Sequence, residues 1–335
     1  MSNLRNPQYD AWLFWAPTYQ CNLDCDYCFL EPATRHISNH YNINISALKK
    51  TLNCSNKIYR ITFSGGEPFL ASNIVEACIE LTRKHFIAFN SNLTSKKVKE
   101  FAEKINPSRV LFILASCHIK TLERRNLLSR YIDNFLLCKN RGFPIFAMEV
   151  GYPPLLKEVE KYKKFFLEKG IDLTFSPYMG RYKGKSYPDS YSEKELKIFG
   201  LEEFNIKQYY QHGQFCNVGY NVGLVKPNGD ISYCIAINKS LGNIYEGIKF
   251  KNKLVRCPSK FCNCPVNIYD PYLFRKAISE VGSYAAEWIQ PFKNRIKDFT
   301  KNLIYNYLKD NTRKLIIEIF MRNKFFRKYL LKNWI

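Results

Sequence analysis

Three cysteines, Cys21, Cys25 and Cys28, stand within eight positions of one another in the stretch CNLDCDYCF. Thiolates hold iron–sulfur clusters, and short spacings let one loop wrap several corners of a cube. A structural zinc site needs a fourth Cys or His close by, whereas the next histidine, His36, lies eight residues on. Three ligands from one loop leave a fourth metal position open, as a catalytic centre requires. Five more thiols, Cys216, Cys234, Cys257, Cys262 and Cys264, form a second group far downstream. Four of these could bind zinc tetrahedrally or carry another cluster, and the residues alone leave both open. Cys54, Cys78 and Cys138 are isolated and read as small hydrophobes.

A second chemical signal is TFSGGEPFL, residues 62–70. Gly65 and Gly66 permit close backbone approach with no Cβ in the way, Glu67 can accept charge-assisted hydrogen bonds from an ammonium, and Pro68 ends the motif. Gly65 stands 37 residues after Cys28, the last cysteine of the first group.

The elements that must position these residues alternate from residue 10 to about residue 178. AWLFWAP, KIYRITFS, HFIAFNS, RVLFILAS, PIFAMEVGYP and DLTFSPYMG read as strands. ISALKKTLN, NIVEACIELTRK, SKKVKEFAEKI, LERRNLLSRYIDNFLLCKNRG and LKEVEKYKKFFLEKG read as the helices between them. This predicts parallel strands with crossover helices, as an open doubly wound sheet or as a barrel. In a parallel barrel the active site lies at the carboxyl ends of the strands. All six strand ends carry a marked stretch: residues 21–28, 65–68, 90–92, 115–118, 150–153 and 176–180. His118 and Cys117 would also sit at that mouth.

The C-x3-C-x2-C spacing with an aromatic before the last cysteine, together with GGEP, resembles the radical S-adenosylmethionine (SAM) superfamily. The resemblance spans about residues 10–180 and implies a partial (β/α)6 TIM-type barrel. It implies a [4Fe-4S] cluster on Cys21, Cys25 and Cys28, whose open iron chelates the amino and carboxylate groups of SAM. An electron from the cluster then cleaves SAM to a 5′-deoxyadenosyl radical, which abstracts hydrogen from a substrate carbon. It also implies that Gly65, Gly66, Glu67 and Pro68 hold the SAM amino group, that Asn92, Ser116 and Val150 contact the ribose or adenine, and that Tyr27 meets the adenine through its backbone. An electron donor such as flavodoxin or ferredoxin follows as a partner.

The stretch CNVGYNVGLVKPNGDISYC reads C-x12-G-x4-C around a PNGD turn. It resembles the start of the auxiliary-cluster domain called SPASM in its long form and twitch in its short one. That implies an auxiliary [4Fe-4S] cluster on Cys216, Cys234 and two of Cys257, Cys262 and Cys264. The chain departs from both patterns: five cysteines stand where the long form has seven, and C-x4-C-x-C replaces the short form's closing C-x2-C. The expected organisation is a barrel over residues 1–190, a small cysteine-rich domain of β-hairpin and helix over 191–270, and a basic helical tail over 271–335.

Composition bounds the rest. With 335 residues, 46% of them hydrophobic, the chain can fill a large core. No signal peptide and no apolar run of about eighteen residues is present, so a cytoplasmic location is expected. The formal charge of +22 points to an anionic partner. Fourteen Lys and Arg against five Asp and Glu put +9 of it in residues 271–335. Apolar residues there recur at helical spacing, as in Phe299, Leu303 and Tyr307. Such a tail suits a helix docked on the protein or one lying on an anionic membrane surface at the inner face. The substrate is left open: a sugar, a glycan or lipid-linked precursor, another small molecule, or a peptide. A peptide-modifying maturase is the alternative, weakened because about ten residues precede the first strand where a leader-binding domain is usual. A non-catalytic zinc and nucleic-acid-binding protein is the second alternative, and it leaves GGEP and the shared rim unexplained. Nucleic acid is disfavoured as a partner because no base-stacking or groove-reading motif is present.

Overall fold

The computed structural model describes residues 8–35, 42–204, 206–262 and 266–281. Their backbone runs β1 (Ala11–Thr18), α1 (Pro32–Arg35), α2 (Ile45–Cys54), β2 (Tyr59–Gly65), α3 (Ile74–Thr82), β3 (Phe86–Ser91), α4 (Lys97–Lys104) and β4 (Val110–Ser116). It continues with α5 (Ile119–Arg124), α6 (Leu128–Asn140), β5 (Ile145–Val150), α7 (Val159–Glu168), β6 (Leu173–Ser176), the hairpin β7 (Gly180–Tyr182) and β8 (Lys185–Tyr187), and α8 (Glu193–Phe199). Beyond these come β9 (Phe215–Cys216), β10 (Val222–Val225), β11 (Asp230–Ser232), β12 (Ser240–Asn243), β13 (Gly247–Ile248), β14 (Val255–Arg256), α9 (Val266–Tyr269) and α10 (Pro271–Val281).

Strands β1 to β6 are parallel neighbours in sequence order. The alternation left an open sheet or a barrel; this is the α/β partial barrel that the resemblance implies, with the helices supplying the crossovers that parallel strands require. The strands are apolar over most of their length because helices and barrel interior cover both faces. Trp15, Phe63, Phe69, Phe89 and Phe101 are buried, and Phe69 stacks on Phe89 with ring centroids 4.7 Å apart. The long run expected as one helix after β4 divides into α5 and α6, with Asn126 at a φ of 54° between them. Asn takes that left-handed conformation more readily than most residues.

The cysteine-bearing segment does not pair only with itself. β10 lies parallel to β1, with Trp12 opposite Val222 and Trp15 opposite Val225. The antiparallel strands β11, β12 and β13 then extend one ten-stranded sheet past the edge of β1. The PNGD turn joins β10 to β11 as expected, with Gly229 at a φ of 88°. The hairpin does not by itself unite its two cysteines, because Cys216 belongs to a separate two-stranded ladder, β9 with β14.

Helix α10 is anchored at the opposite end of the barrel from the mouth. Asp270 accepts from the Tyr9 hydroxyl at 2.6 Å and pairs with Arg60 at 2.9 Å, while its other oxygen accepts the Leu273 amide at 3.0 Å. The Arg60 guanidinium lies 4.2 Å over the Trp12 ring. Among the described residues no helix is long and apolar enough to cross a membrane. The basic tail expected from the sequence lies, beyond Val281, outside the described residues.

Candidate active site

The cysteine loop leaves β1 at Thr18 and is seized at once by the GGEP segment. The Gly66 amide donates to the Thr18 carbonyl at 3.0 Å, and the Glu67 amide to the Gln20 carbonyl at 2.8 Å. A Cβ on Gly66 would lie 2.1 Å from the Gln20 carbonyl oxygen and 2.4 Å from that of Tyr19. Gly65 has a φ of 107°, and a Cβ there would meet the Thr18 oxygen at 2.7 Å. The close approach that the two glycines permit is therefore an approach to the chain's own cysteine loop.

Glu67 is buried and serves as a clamp. Its Oε1 accepts from the Phe69 amide at 3.0 Å and the Ser91 hydroxyl at 2.9 Å, and its Oε2 from the Asn92 amide at 2.7 Å. Three of about four acceptor positions on the carboxylate are thus filled by the end of β3 and the one-turn helix that begins at Pro68. Burial pushes its pKa up to about 7, against the pull of those three bonds.

Asn92, also buried, reaches back to the loop. Its amide nitrogen donates to Asn22 Oδ1 at 3.0 Å and lies 3.9 Å from Cys21 Sγ, while Asn22 donates to Thr94 at 2.7 Å. On the outer side, Asp24 pairs with Arg124 at 2.9 Å and Arg125 at 3.1 Å. Hydrogen bonds from Arg125 and then Arg124 hold its carboxyl down at about 2.

Two buried charged residues at this site escaped the sequence reading. Arg35, 7% exposed, donates to the Cys25 carbonyl at 3.4 Å, and its Nε has no hydrogen-bond partner. Nothing in PATRH marked this arginine as internal. Glu149, 1% exposed, shares a strand face with the buried Ile145 and Ala147. The alternation in IFAMEV was a readable signal, since it places a carboxylate on the apolar face of a strand. Oε1 of Glu149 accepts from the Tyr27 hydroxyl and the Val150 amide, both at 2.7 Å, and Oε2 from the Ile119 amide at 2.7 Å. His118 Nδ1 lies 3.0 Å from the same Tyr27 oxygen, and burial lowers the imidazole pKa to about 4. Tyr27 was expected to act through its backbone; its side chain packs on Tyr152 at 5.1 Å and joins this network.

Ser116 and Val150 end neighbouring strands β4 and β5 at the same mouth, both half-buried. The structure thus brings the cysteine loop, residues 65–68, Asn92, Ser116 and Val150 to the carboxyl ends of five adjacent strands.

The donor set suits an anionic thiolate-bound group. Burial pushes the Cys21 thiol up to about 11 and Cys25 to about 12, which favours the protonated form, so a metal that binds these sulfurs must displace their protons. The buried Arg35 guanidinium, whose Nε has no hydrogen-bond partner, is a cation near these thiols.

In the second group the β9–β14 ladder sets Val255 opposite Cys216 and so brings Cys257 near. Cys257 donates its amide to the Gln214 carbonyl at 2.9 Å, and Cys262 to that of Tyr209 at 2.7 Å. Burial raises the Cys216 thiol to about 12, and the neighbouring Cys234, Cys262 and Cys257 push it further the same way. Cys234 is raised by burial and by Cys262 and Cys257. Four thiols therefore lie within electrostatic range of one another; Cys264 lies outside the described residues. Among the described residues no three His, Cys, Asp or Glu side chains are gathered as for a single metal ion.

Comparison with known proteins bears on the barrel. An uncharacterized protein of Methanocaldococcus jannaschii, MJ0907, is 25% identical over 281 residues, which cover 73% of this chain and 92% of that protein. Among solved structures, native anSMEcpe with bound AdoMet matches with a TM-score of 0.51 and 18% identity, over 85% of this chain and 99% of that one. A hexahistidine-tagged form of anSMEcpe with bound AdoMet matches with a TM-score of 0.50 and 21% identity, over 70% and 78%. At these identities the likeness is one of fold. Residues 15–166 match the family model of the radical SAM superfamily. The cysteine loop, GGEP and Asn92 all lie within the matched stretch.

Proposed function

We propose that this protein is a radical SAM enzyme whose Cys21, Cys25 and Cys28 hold a [4Fe-4S] cluster with an open iron beside a SAM pocket. That pocket is bounded by Gly65, Gly66, Glu67, Pro68, Asn92, Ser116 and Val150, with Tyr27 on the cysteine loop. The observation that carries this reading is the backbone join between GGEP and the cysteine loop, Gly66 to Thr18 and Glu67 to Gln20. A chance GGEP turn has no reason to meet that loop. When bound, the cluster and SAM supply reductive sulfonium cleavage and the hydrogen abstraction that follows. The chain's own part is to hold the loop, to place the Arg35 cation against the thiolates, and to keep Glu67 ready for a cationic neighbour at its remaining acceptor position.

The approach of Cys216, Cys234, Cys257 and Cys262 supports an auxiliary [4Fe-4S] cluster, and with it a reaction that ends in oxidation, epimerisation or bond formation. The substrate is a sugar, a lipid-linked precursor or another metabolite, and the strongly basic chain favours an anionic one. A flavodoxin or ferredoxin is the expected electron donor.

The test is anaerobic. Purified protein should be brown with about eight irons per chain, as two four-iron clusters give, and should form 5′-deoxyadenosine from SAM under a reductant. Replacing Cys21, Cys25 and Cys28 by Ala should abolish that product and remove one cluster's iron. Cleavage of SAM by the triple variant, or a colourless zinc protein, would overturn the assignment.

A further inference from the structure

Glu149 has no place in the motifs that mark the barrel, yet it is a buried carboxylate at the mouth that accepts as many hydrogen bonds as Glu67, three. Its three bonds go to three different parts of the chain: the Tyr27 hydroxyl on the cysteine loop, the Ile119 amide at the start of α5, and the Val150 amide at the end of its own strand, each at 2.7 Å. Tyr27 stands between Cys25 and Cys28, and the Cys28 amide donates to the Cys25 carbonyl at 3.2 Å, so these residues form one tight turn. The inner face of that turn touches the strand ends through Tyr27. Its ring lies 5.7 Å from the His118 ring and 5.1 Å from that of Tyr152. The outer face is held by Asp24 to Arg124 and Arg125, in exposed pairs that solvent weakens. The buried bond to a carboxylate is the stronger tie.

We propose that Glu149 is a positioning residue for the iron-binding turn: it fastens residues 25–28 to the ends of β4 and β5 through the Tyr27 hydroxyl. This rests on the radical SAM reading above. It gives the aromatic before the third cysteine a task for its hydroxyl, which a phenylalanine could not perform. It also explains why a carboxylate is kept on an otherwise apolar strand face. A glutamine of the same size offers one acceptor oxygen and an NH2: one orientation sets the NH2 against the Ile119 amide, the other against both the Tyr27 hydroxyl and the Val150 amide, and in either the bond to Tyr27 loses the charge of the carboxylate.

The experiment follows iron release to the chelator bathophenanthroline from the anaerobically reconstituted full chain under dithionite, for the wild type and for Glu149→Gln and Tyr27→Phe. The Cys25→Ala chain identifies which release belongs to the first cysteine group. Both variants should speed that release by about tenfold or more, the kinetic equivalent of losing a hydrogen bond to a charged group, and leave release from the second group at the wild-type rate. That second release is the internal control, because general loosening of the fold would speed both. Tyr27→Phe keeps the ring packing, so it remains a test if Glu149→Gln fails to fold. Folded variants that release iron at wild-type rates, or that speed both releases equally, overturn the role of Glu149. A wild-type chain that takes up no iron, or a Cys25→Ala chain that retains all of it, overturns the radical SAM reading instead.

Discussion

Gly66→Ala is the sharpest probe of how GGEP builds the site. The added Cβ would fall 2.1 Å from the Gln20 carbonyl oxygen and 2.6 Å from its carbon, both backbone atoms that no rotamer change can move. Carbon and oxygen rest at about 3.3 Å or more, near the separation typical of weak C–H···O contacts, so the loop must retreat by about 1 Å. That retreat breaks the 3.0 Å Gly66–Thr18 bond and the 2.8 Å Glu67–Gln20 bond. Leaving buried donors and acceptors unpaired costs about 1–3 kcal/mol each, giving about 2–6 kcal/mol in all, comparable with much of a domain's stability. The cost falls on the loop that carries the thiols, so bound iron should drop toward that of the Cys25→Ala chain, measured colorimetrically on anaerobic protein beside urea unfolding. Gly142→Ala is the control: its φ of 84° costs backbone strain, but a Cβ there meets nothing within 4 Å, so it should lose about 1–2 kcal/mol and no iron. A Gly66→Ala chain with wild-type iron and stability within about 0.5 kcal/mol, the scatter of neutral surface changes, would refute the close-approach argument.

Asp270→Asn should leave Arg60 buried without its counter-ion and lower the unfolding free energy by about 3–5 kcal/mol; a loss under about 1 kcal/mol in urea would count against the anchoring of α10. His85, whose Nδ1 accepts the Tyr59 amide at 3.2 Å, has its pKa lowered by burial to about 4 from an ordinary 6.5. Its contribution is therefore fully present above pH 6.5 and is lost as pH falls toward 4, on the order of 3 kcal/mol. His85→Gln, which keeps an acceptor, should flatten the stability profile across that window, and parallel profiles for the two chains would exclude this titration. Single Ala replacements at Cys216, Cys234, Cys257 and Cys262 should each remove about four irons while 5′-deoxyadenosine formation retains its dependence on Cys25. Full iron in any one of the four would remove that thiol from the ligand set.

Much of this protein was legible before its structure. Alternating apolar runs announced β1 to β6 and their helices, because parallel strands covered on both faces have a recognisable texture. The spacing of Cys21, Cys25 and Cys28 reads as that of a metal-binding loop, since ligand spacing along one loop is a local property that needs no tertiary knowledge. Gly65 and Gly66 were read as permitting close backbone approach, and the structure sets them against the chain's own cysteine loop. What they approach was not readable, because the partner carbonyls at Thr18, Tyr19 and Gln20 lie more than forty residues earlier.

Side-chain destinations were the part that needed the fold. Glu67 promised a free carboxylate for an ammonium, and the fold spends three of its acceptor positions on Phe69, Ser91 and Asn92. Arg35 gave no sign of being internal until its guanidinium reached the Cys25 carbonyl. The cysteine-rich segment carried clear turn and strand signals. Nothing in them dictated that β10 would add to the open edge of β1, since edge pairing depends on backbone hydrogen bonds that almost any sequence can make. The residue types and spacings thus determined which chemistry is available and at which end of the strands it gathers. The tertiary structure alone decided which buried donors meet Glu67 and Glu149, and which strand edge receives the hairpin between Cys216 and Cys234, because those contacts join residues far apart in sequence and depend on three-dimensional packing.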